Sequence, residues 1–394
     1  MSMTVATGLN RLLAAPSRLA GRRYGLLAHG ASLTADLRPA HRALAASAQP
    51  PRVLFGPEHG YYGVEQDMVA AAGGRDPWTG VPILSLYGDS AASLAPQPAA
   101  FAGLDLLVID LQDVGSRYYT YAATAVWAAE AALAAGCEVW VLDRPNPLGG
   151  EIVEGNLPEP GYESFVGAFR TPVRHGLTLG ELVRLEARRR RWTGLCEIVE
   201  MAGWRRTMRW EETGLPFVAP SPNMPTVATA HVYPGGCLVE ATELSEGRGT
   251  TRPFQLTGAP GLDPVALADR LNERALPGAV FVPTYFRPQF QKHAGKVCGG
   301  VEIVVTDPGT FRSYRAGVEL LAAVQEIAPE IFAWRQAAYE FVADVPAIDL
   351  LTRTARCREA IDHGRRDDLL AWFAGWEADE AAFRDECAEI LLYR

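Results

Sequence analysis

The sequence predicts an α/β fold in which a mostly parallel sheet is followed by a second, smaller α/β domain. Two observations predict it. Short apolar runs alternate with helical segments over roughly the first 240 residues, and helix and strand patterns return after a region rich in Pro, Gly, Ser and Thr. The chain has 394 residues, which suggests two or three domains at about 150 residues each.

Four short apolar runs predict strands that are buried on both faces of the sheet. They are Tyr24–Leu27, Val53–Phe55, Leu106–Ile109 and Val139–Leu142. Between them lie alanine-rich segments such as Ala122–Ala135, which predict helices. Strands that alternate with helices pair in parallel, because each crossover helix returns the chain to the same end of the sheet.

The elements that follow set the boundary between the two predicted domains. Thr178 and Glu181 form a capping-box pattern at the start of a helix that runs to about Arg191. The stretch from about 215 to 260 is too long for an idle loop, so it is either functional or a linker. We expect the sheet domain over residues 1–254 and an auxiliary α/β domain over 255–394. The second domain has predicted helices at Pro264–Arg274, Tyr314–Ile327 and Asp367–Leu392 and a predicted strand at Val301–Val305.

Composition and charge argue against several kinds of partner. Hydrophobic residues make up 48% of the chain and charged residues 21%, as in ordinary globular proteins. The net charge is −9, with acids and bases spread along the chain, which argues against nucleic acid or an anionic membrane as the main partner. The N-terminus shows no export signal and no apolar run long enough to span a membrane, so we expect a cytoplasmic location. The oligomeric state stays open.

The motifs give no support for a metal or a nucleotide cofactor. Six cysteines occur, at 137, 196, 237, 298, 357 and 387, without metal-ligand spacing, which predicts buried thiols. There is no HExxH, and neither a GxGxxG after a strand nor a P-loop, so we expect no metal and no cofactor. The absence of GxSxG disfavours a serine hydrolase of the familiar α/β type.

Acidic side chains follow three of the predicted strands. Glu58 comes after the strand at 53–55, Asp110 and Asp113 after the strand at 106–109, and Asp143 after the strand at 139–142. In open parallel sheets, ligands bind in the crevice beyond the carboxyl ends of the strands. We therefore expect these turns to converge on one cleft.

Glu58 is the sharpest candidate for a catalytic group. It lies in a turn between Gly56 and Gly60, with His59 directly after it. Apolar neighbours such as Phe55 and Tyr61 favour the neutral, proton-donating form of a carboxyl group. The alternative is an ordinary turn carboxylate that accepts backbone hydrogen bonds.

The remaining candidates near the strand ends have structural alternatives. Asp110, Asp113 and Asp143 could each cap the helix that follows. Arg117 and Tyr121 could contact a sugar through a planar donor fork and an aromatic face, whereas most of the tyrosines at 118, 119 and 121 could instead belong to the core.

Two later segments offer further candidates. His175 lies at the entrance of the capped helix, where a histidine is more often a hydrogen-bonded structural residue than a base. Glu246 and Arg248, in the glycine-rich loop at 243–250, could bind hydroxyl or carboxylate groups, or could pin the loop to the sheet.

The ordered motifs of the chain resemble those of the exo-β-N-acetylmuramidase family, long catalogued as a bacterial domain of unknown function. They are FGPEHG at 55–60, SLYG at 85–88, DLQDVGSRYYTY at 110–121, VLDRPNPLGG at 141–150, EGN at 154–156, RHGLTLGEL at 174–182, PSPNMPT at 220–226 and SEGRGTTRPF at 245–254. The similarity continues through 258–260 and 292–307 to the C-terminal LLYR, so it covers nearly the whole chain.

The resemblance implies a Rossmann-like catalytic domain, a smaller auxiliary α/β domain, and an active site in the cleft between them. It also implies exo-acting release of N-acetylmuramic acid (MurNAc) from the non-reducing end of peptidoglycan fragments. The glutamate of the EHG motif is Glu58, our choice for the proton donor. The other motif residues that we expect in the site are His59, Asp113, Arg117, Tyr121, Asn146, Glu154, His175, Asn223, Glu246 and Arg248.

The sequence leaves the second catalytic group open. Asp110 or Asp113 could act on water, or the N-acetyl group of the substrate could attack while Glu154 or Asp113 orients its amide. The lactyl carboxylate of MurNAc calls for a cation, which Arg117 or Arg248 could supply.

Two other functions remain as alternatives. One is a non-catalytic muropeptide- or sugar-binding protein on the same scaffold, since a fold does not fix a function. The other is a different α/β hydrolase that acts on an acylated or phosphorylated small molecule, which the missing serine elbow, P-loop and metal spacing weaken.

Overall fold

The main sheet of the structure, a computed structural model that describes residues 4–394, has seven strands. They are β1 (Tyr24–Ala28), β2 (Val53–Gly56), β3 (Gly74–Arg75), β4 (Pro82–Ser85), β5 (Leu106–Asp110), β6 (Glu138–Leu142) and β7 (Cys196–Val199). Their order is β3-β4-β2-β1-β5-β6-β7, and every neighbouring pair is parallel except β3 with β4. The predicted α/β fold with a mostly parallel sheet is confirmed.

The central strands are buried on both faces because alternate side chains enter two different cores. Leu107 and Ile109 of β5 belong to the larger core, whereas Leu106 and Val108 belong to a second core on the opposite face. Each fully buried large apolar side chain contributes roughly 1.5–3 kcal/mol to folding. This two-sided burial is the reason why the strands lack a polar face in the sequence.

Helices cover both faces of the main sheet. They are α1 (Gly8–Leu13), α2 (Ala40–Ser47), α3 (Tyr121–Ala134) and α4 (Leu179–Arg190), whereas the next helix, α5 (Val227–Gly236), packs against the second half of the chain. The predicted capping box of α4 is present: the Thr178 hydroxyl accepts from the Glu181 amide, and the Glu181 carboxylate accepts from the Thr178 amide. Helix α5 lies in the region predicted to be irregular, where Pro234 near its end obscures the helical pattern.

The second half of the chain forms a three-stranded antiparallel sheet with its own helices. The strands are β8 (Leu256–Ala259), β9 (Ala279–Phe286) and β10 (Cys298–Val305), in the order β8-β10-β9. The helices are α6 (Pro264–Asn272), α7 (Ser313–Ile327), α8 (Ala347–Thr352), α9 (Arg356–Asp362) and α10 (Arg366–Cys387). The second, smaller α/β unit is therefore confirmed, while the boundary at residues 254 and 255 stays a prediction.

The C-terminal residues return to the main sheet. The Tyr393 hydroxyl donates to Asp143 at 2.7 Å, and the Leu392 amide donates to Glu181 at 2.9 Å. Within residues 4–394, no helix has the length and apolar character that crossing a membrane requires. The cytoplasmic location stays a prediction.

Candidate active site

A cavity that is open to solvent lies beyond the carboxyl end of β2, where the main sheet meets the second half of the chain; about 480 Å³ of space lies within its outline, part of it open solvent. Side chains from both halves line it, which matches the expected cleft between the two units. The lining residues are Glu58, His59, Asp67, Tyr118, Tyr119, Thr120, Val166, Ser221, Asn223, Met224, Tyr233, Glu240, Arg248, Phe254, Tyr339 and Glu340.

The turn after β2 brings Glu58 into this cavity. The chain folds back so tightly that a Cβ atom on Gly56 would lie 2.6 Å from the Tyr61 nitrogen, so only glycine fits there. His59 and Gly60 then both adopt positive φ angles, 69° and 78°. The left-handed conformation is costly for His59, and such strain is typical of functional turns.

Glu58 is buried, with 4% of its surface exposed, yet it has few partners. Its Oε2 accepts a hydrogen bond of 2.6 Å from the Thr120 hydroxyl, just before α3. Its Oε1 has only a long contact, 3.5 Å, with the Met68 amide. One oxygen is thus anchored while the other remains free to meet a ligand.

Arg248 occupies the centre of a charged cluster on the other side of the cavity. Its guanidinium lies 2.6 Å from Glu240, 3.3 Å from Asp67 and 3.3 Å from Glu246. Glu246 does not line the cavity, and Lys292 also pairs with it at 3.0 Å. The predicted pair of Glu246 and Arg248 is therefore in place, with Arg248 facing the cavity and Glu246 behind it.

The pKa values of the two cavity carboxyls around Arg248 shift in opposite directions. Burial opposes ionisation of Glu240, but Arg248 and the Tyr339 hydroxyl outweigh it and hold the Glu240 pKa below its ordinary value. Burial raises the pKa of Asp67 although Arg248 is close. Glu240 is the firm counter-ion of Arg248, and Asp67 is the weaker one.

Aromatic rings form a wall of the cavity. Tyr233 packs edge-to-face on Tyr119 and on Phe254, with ring centroids 5.8 and 4.8 Å apart. The Tyr119 hydroxyl is buried and has no hydrogen-bond partner in the described part of the chain, whereas the Tyr118 hydroxyl donates to the Pro234 carbonyl. An unpartnered donor beside ring faces suits a sugar, which offers both hydroxyl groups and C–H surfaces.

Three predicted catalytic carboxylates do not line the cavity. Asp110 is fully buried and forms a double hydrogen bond with Arg144, at 2.6 and 2.8 Å. Asp113 accepts from the Gly115 amide at 2.7 Å, and burial raises its pKa to about 7. Glu154 accepts from the Arg315 amide at the start of α7, and burial raises its pKa to about 7. The expectation that all three acidic turns converge on one cleft is wrong, because Asp110 and the similarly buried Asp143 hold neighbouring segments instead.

Four predicted substrate contacts also lie outside the cavity lining. Arg117 is buried and does not line the cavity, and its two terminal nitrogens donate to the carbonyls of Asn156, Thr171 and Leu351. The side-chain amide of Asn146 donates to the Leu177 carbonyl and accepts from the Leu148 amide. The His175 ring accepts from the Leu177 amide. The Tyr121 hydroxyl donates to the Pro220 carbonyl.

Two of these side chains, His175 and Asn146, have local structural roles. Burial, with Arg206 and Arg117 nearby, lowers the pKa of His175 to about 3, so this ring stays neutral. A Cβ atom on Gly115 would lie 2.3 Å from the Asn146 side chain, so the two residues interlock. The structure thus brings Glu58, His59, Asn223 and Arg248 of the predicted set together in the cavity lining. The other predicted site residues lie outside the lining.

Several cavity residues have no sequence motif that marks them. Asp67, Glu240 and Glu340 are carboxyls in the cavity that the sequence did not single out, and Thr120 and Tyr339 position two of the carboxylates. Thr120 lies inside the DLQDVGSRYYTY motif, so the sequence could have identified it as a site residue. Nothing in the sequence around Glu340 points to a site.

A cavity that combines buried carboxyls, an aromatic wall and a cation beyond the strand ends of an α/β sheet has the groups that cleavage of a glycosidic bond requires. The fold and this site together define a carbohydrate-active enzyme of the hydrolase class.

Comparisons with known proteins identify the family. The model of the exo-β-N-acetylmuramidase NamZ N-terminal domain matches residues 24–228, and that of the NamZ C-terminal domain matches residues 231–393. The peptidoglycan β-N-acetylmuramidase NamZ of Bacillus subtilis (strain 168) is 42% identical over 330 residues, which are 83% of this chain and 79% of that protein. The chain belongs to the NamZ exo-β-N-acetylmuramidase family.

Two solved structures of DUF1343 family proteins from Bacteroides fragilis share the fold. One is 31% identical, with a TM-score of 0.86 and coverage of 99% of both chains. The other is 26% identical, with a TM-score of 0.73 and coverage of 100% of this chain and 99% of that chain. The family, the enzyme class and the two-unit α/β fold predicted from the motifs are confirmed: the chain is a glycoside hydrolase of the exo-β-N-acetylmuramidase type.

Proposed function

We propose that this enzyme releases terminal MurNAc from the non-reducing end of peptidoglycan fragments, with Glu58 as the general acid. The observation that carries the proposal is the buried carboxyl of Glu58 in the cavity, anchored through one oxygen by Thr120. A general acid must reach the leaving oxygen while its orientation is fixed. Thr120 fixes the orientation of Glu58, and the side chain lines the cavity in which we propose the leaving oxygen to lie.

Two of the other three cavity carboxyls, Glu240 and Asp67, are less suited to that role because they are engaged with Arg248. Both oxygens of Glu240 are occupied, one by Arg248 and one by the Tyr339 hydroxyl, each at 2.6 Å. Asp67 pairs with Arg248 and accepts from the Gln291 amide at 2.9 Å. Protonation of a carboxylate that pairs with a buried cation weakens the neutralisation of that cation, which opposes a role in proton transfer.

Arg248 is the proposed partner of the lactyl carboxylate of MurNAc. It is the one arginine or lysine among the described residues that line the cavity, whereas Arg117, the other candidate, lies outside the lining and its terminal nitrogens donate to backbone carbonyls. A guanidinium can bind a carboxylate through two parallel hydrogen bonds. The substrate would compete with Asp67, the weaker counter-ion, for this position.

The second catalytic role could belong to a water molecule or to the substrate's own N-acetyl group. Asp110, Asp113 and Glu154 do not face the cavity, so we assign them no contact with the substrate. We retain His59 as a positioning residue, because its Nδ1 lies 2.9 Å from the Glu65 carbonyl and fixes the turn that carries Glu58.

Two substrates with different leaving groups test the acid role of Glu58. In Glu58→Gln, hydrolysis of the disaccharide MurNAc–N-acetylglucosamine should fall roughly 10²- to 10⁴-fold, because its sugar leaving group needs a proton. The loss should be much smaller with 4-nitrophenyl N-acetyl-β-muramide, since nitrophenolate leaves without protonation. Glu65→Gln, a half-buried carboxylate of the same loop that does not line the cavity, is the matched control and should keep both activities.

The outcomes separate the proposal from its alternative. Equal losses on both substrates would show that Glu58 is not the acid. If the unaltered enzyme bound the sugars but cleaved neither, the chain would be a saccharide-binding protein on the same scaffold.

A further inference from the structure

A turn from the second half of the chain contributes Tyr339 and Glu340 to the cavity lining. Glu340 and Phe341 in this turn both have left-handed backbone angles, with φ of 47° and 66°. The turn is held on one side by the Tyr339 hydroxyl, which donates to Glu240, and on the other by Phe341, whose ring centroid lies 6.2 Å from that of Tyr87. A strained pair of residues kept in place from both sides is typical of a ligand-contacting turn.

This turn carries Glu340 into the cavity. The side chain lines the cavity and is buried, with 7% of the residue exposed. Its one polar contact in the described part of the chain is the Tyr87 hydroxyl, 3.4 Å from Oε2, and no arginine, lysine or histidine pairs with it there. Glu340 is thus a buried carboxyl with a free oxygen and no counter-ion.

The charges around Glu340 oppose its ionisation. The cavity lining contains four carboxyls and one guanidinium, and that guanidinium already has three carboxylate partners. Burial, reinforced by the charges of Glu58, Glu240 and Asp67, raises the pKa of Glu340 well above its ordinary value. The titratable and charged groups that surround it are Glu58, His59, Asp67, Tyr87, Glu240, Arg248 and Tyr339.

The substrate creates a specific difficulty for such a cavity. MurNAc brings a further carboxylate into a space where acidic side chains outnumber basic ones. The charge of Arg248 is already balanced by its carboxylate partners. A neutral carboxylic acid, unlike a carboxylate, can donate a short and strong hydrogen bond to an incoming anion. Glu340 has no cation partner among the described residues, so no ion pair is lost when it is neutral.

We propose that Glu340 acts as a neutral hydrogen-bond donor to the lactyl carboxylate of MurNAc, sharing that group with Arg248 and thereby selecting MurNAc over N-acetylglucosamine. This inference rests on the proposed function, and it makes Glu340 a specificity residue for that reaction. A glutamine at this position offers an N–H donor in the same place, whereas an alanine offers none.

Binding of the two sugars measured by calorimetry tests this role. In Glu340→Ala, the Kd of MurNAc should rise roughly 10- to 100-fold, the loss expected for a hydrogen bond to a charged group, while the Kd of N-acetylglucosamine changes little. Glu340→Gln should recover most of the MurNAc affinity that the alanine variant loses. Glu330→Ala, an exposed glutamate in the same half of the chain, is the control for general effects of the substitution.

The pH dependence provides a second readout that a purely structural role would not move. MurNAc binding by the unaltered enzyme should weaken at alkaline pH as Glu340 loses its proton, and this part of the profile should be absent in Glu340→Gln. Equal weakening for both sugars in Glu340→Ala, or a glutamine variant as impaired as the alanine variant, would overturn the assignment. If the unaltered enzyme bound no MurNAc and cleaved no muramide, the proposed function would fall together with it.

Discussion

The buried pair of Asp110 and Arg144 provides a sharp test of which carboxylates are structural. The Asp110 side chain is fully buried, Arg144 is 7% exposed, and two hydrogen bonds of 2.6 and 2.8 Å join them. Asp110→Asn removes the negative charge and leaves the guanidinium buried without a counter-ion. Breaking such a pair costs about 3–5 kcal/mol.

That cost can be expressed as a shift in melting temperature. An unfolding entropy of about 2.1 cal/mol/K per residue amounts to about 0.8 kcal/mol/K for a chain of 394 residues, so the Tm of Asp110→Asn should fall by about 4–6 °C. Calorimetry gives the shift directly. Asp368→Asn, which breaks an exposed pair with Arg365, is the matched control and should shift the Tm by about 1 °C or less.

Activity of the folded variant completes the test. Below its melting range, Asp110→Asn should retain most of the muramidase activity, because Asp110 does not reach the cavity. An unchanged Tm together with a loss of activity of a hundredfold or more would refute the structural interpretation and return Asp110 to the catalytic set.

Two further predictions follow from the site and its surroundings. The pKa of Glu154 is about 7 in the folded chain against an ordinary 4.5, so folding takes up a proton between these values and stability falls as the pH rises through that window. Glu154→Gln removes this dependence, so the Tm of the variant relative to that of the unaltered enzyme should increase from pH 4.5 to pH 7. A difference in Tm that stays constant over this range would contradict the raised pKa of Glu154. Arg248→Lys keeps the charge but loses the planar fork, so kcat/KM should fall roughly tenfold more for a muramide than for the matching glucosaminide. Equal losses on the two substrates would exclude Arg248 as the lactyl partner.

The parts of the fold that the sequence predicted are those that burial dictates. The first four residues of β5, Leu106–Ile109, are apolar because both faces of the strand are covered, and the capping box at Thr178 is a local hydrogen-bond pattern. Strand β9 was missed because it lies at the edge of the second sheet, buries only Phe281 and Phe286 and contains Pro283. Helix α5 was missed because its last residues are Pro and Gly.

The candidate site was predictable only in part, for a different reason. Glu58 and Asp110 both follow a strand, and the sequence does not show that Arg144 captures one of them while the other stays free. Glu340 is more than 280 positions from Glu58 along the chain and belongs to no motif, so only the packing of the two halves brings the two carboxyls together. Motifs identified the family, but the partners of each carboxyl decide its role.

The most direct test of the central claim is a crystal structure of Glu58→Gln with the uncleaved disaccharide MurNAc–N-acetylglucosamine. The account predicts the MurNAc ring in the cavity, with the glycosidic oxygen about 2.6–3.2 Å from the side chain at position 58. The lactyl carboxylate should lie between Arg248 and Glu340. A sugar bound in another cavity, or a glycosidic oxygen beyond the reach of position 58, would contradict it.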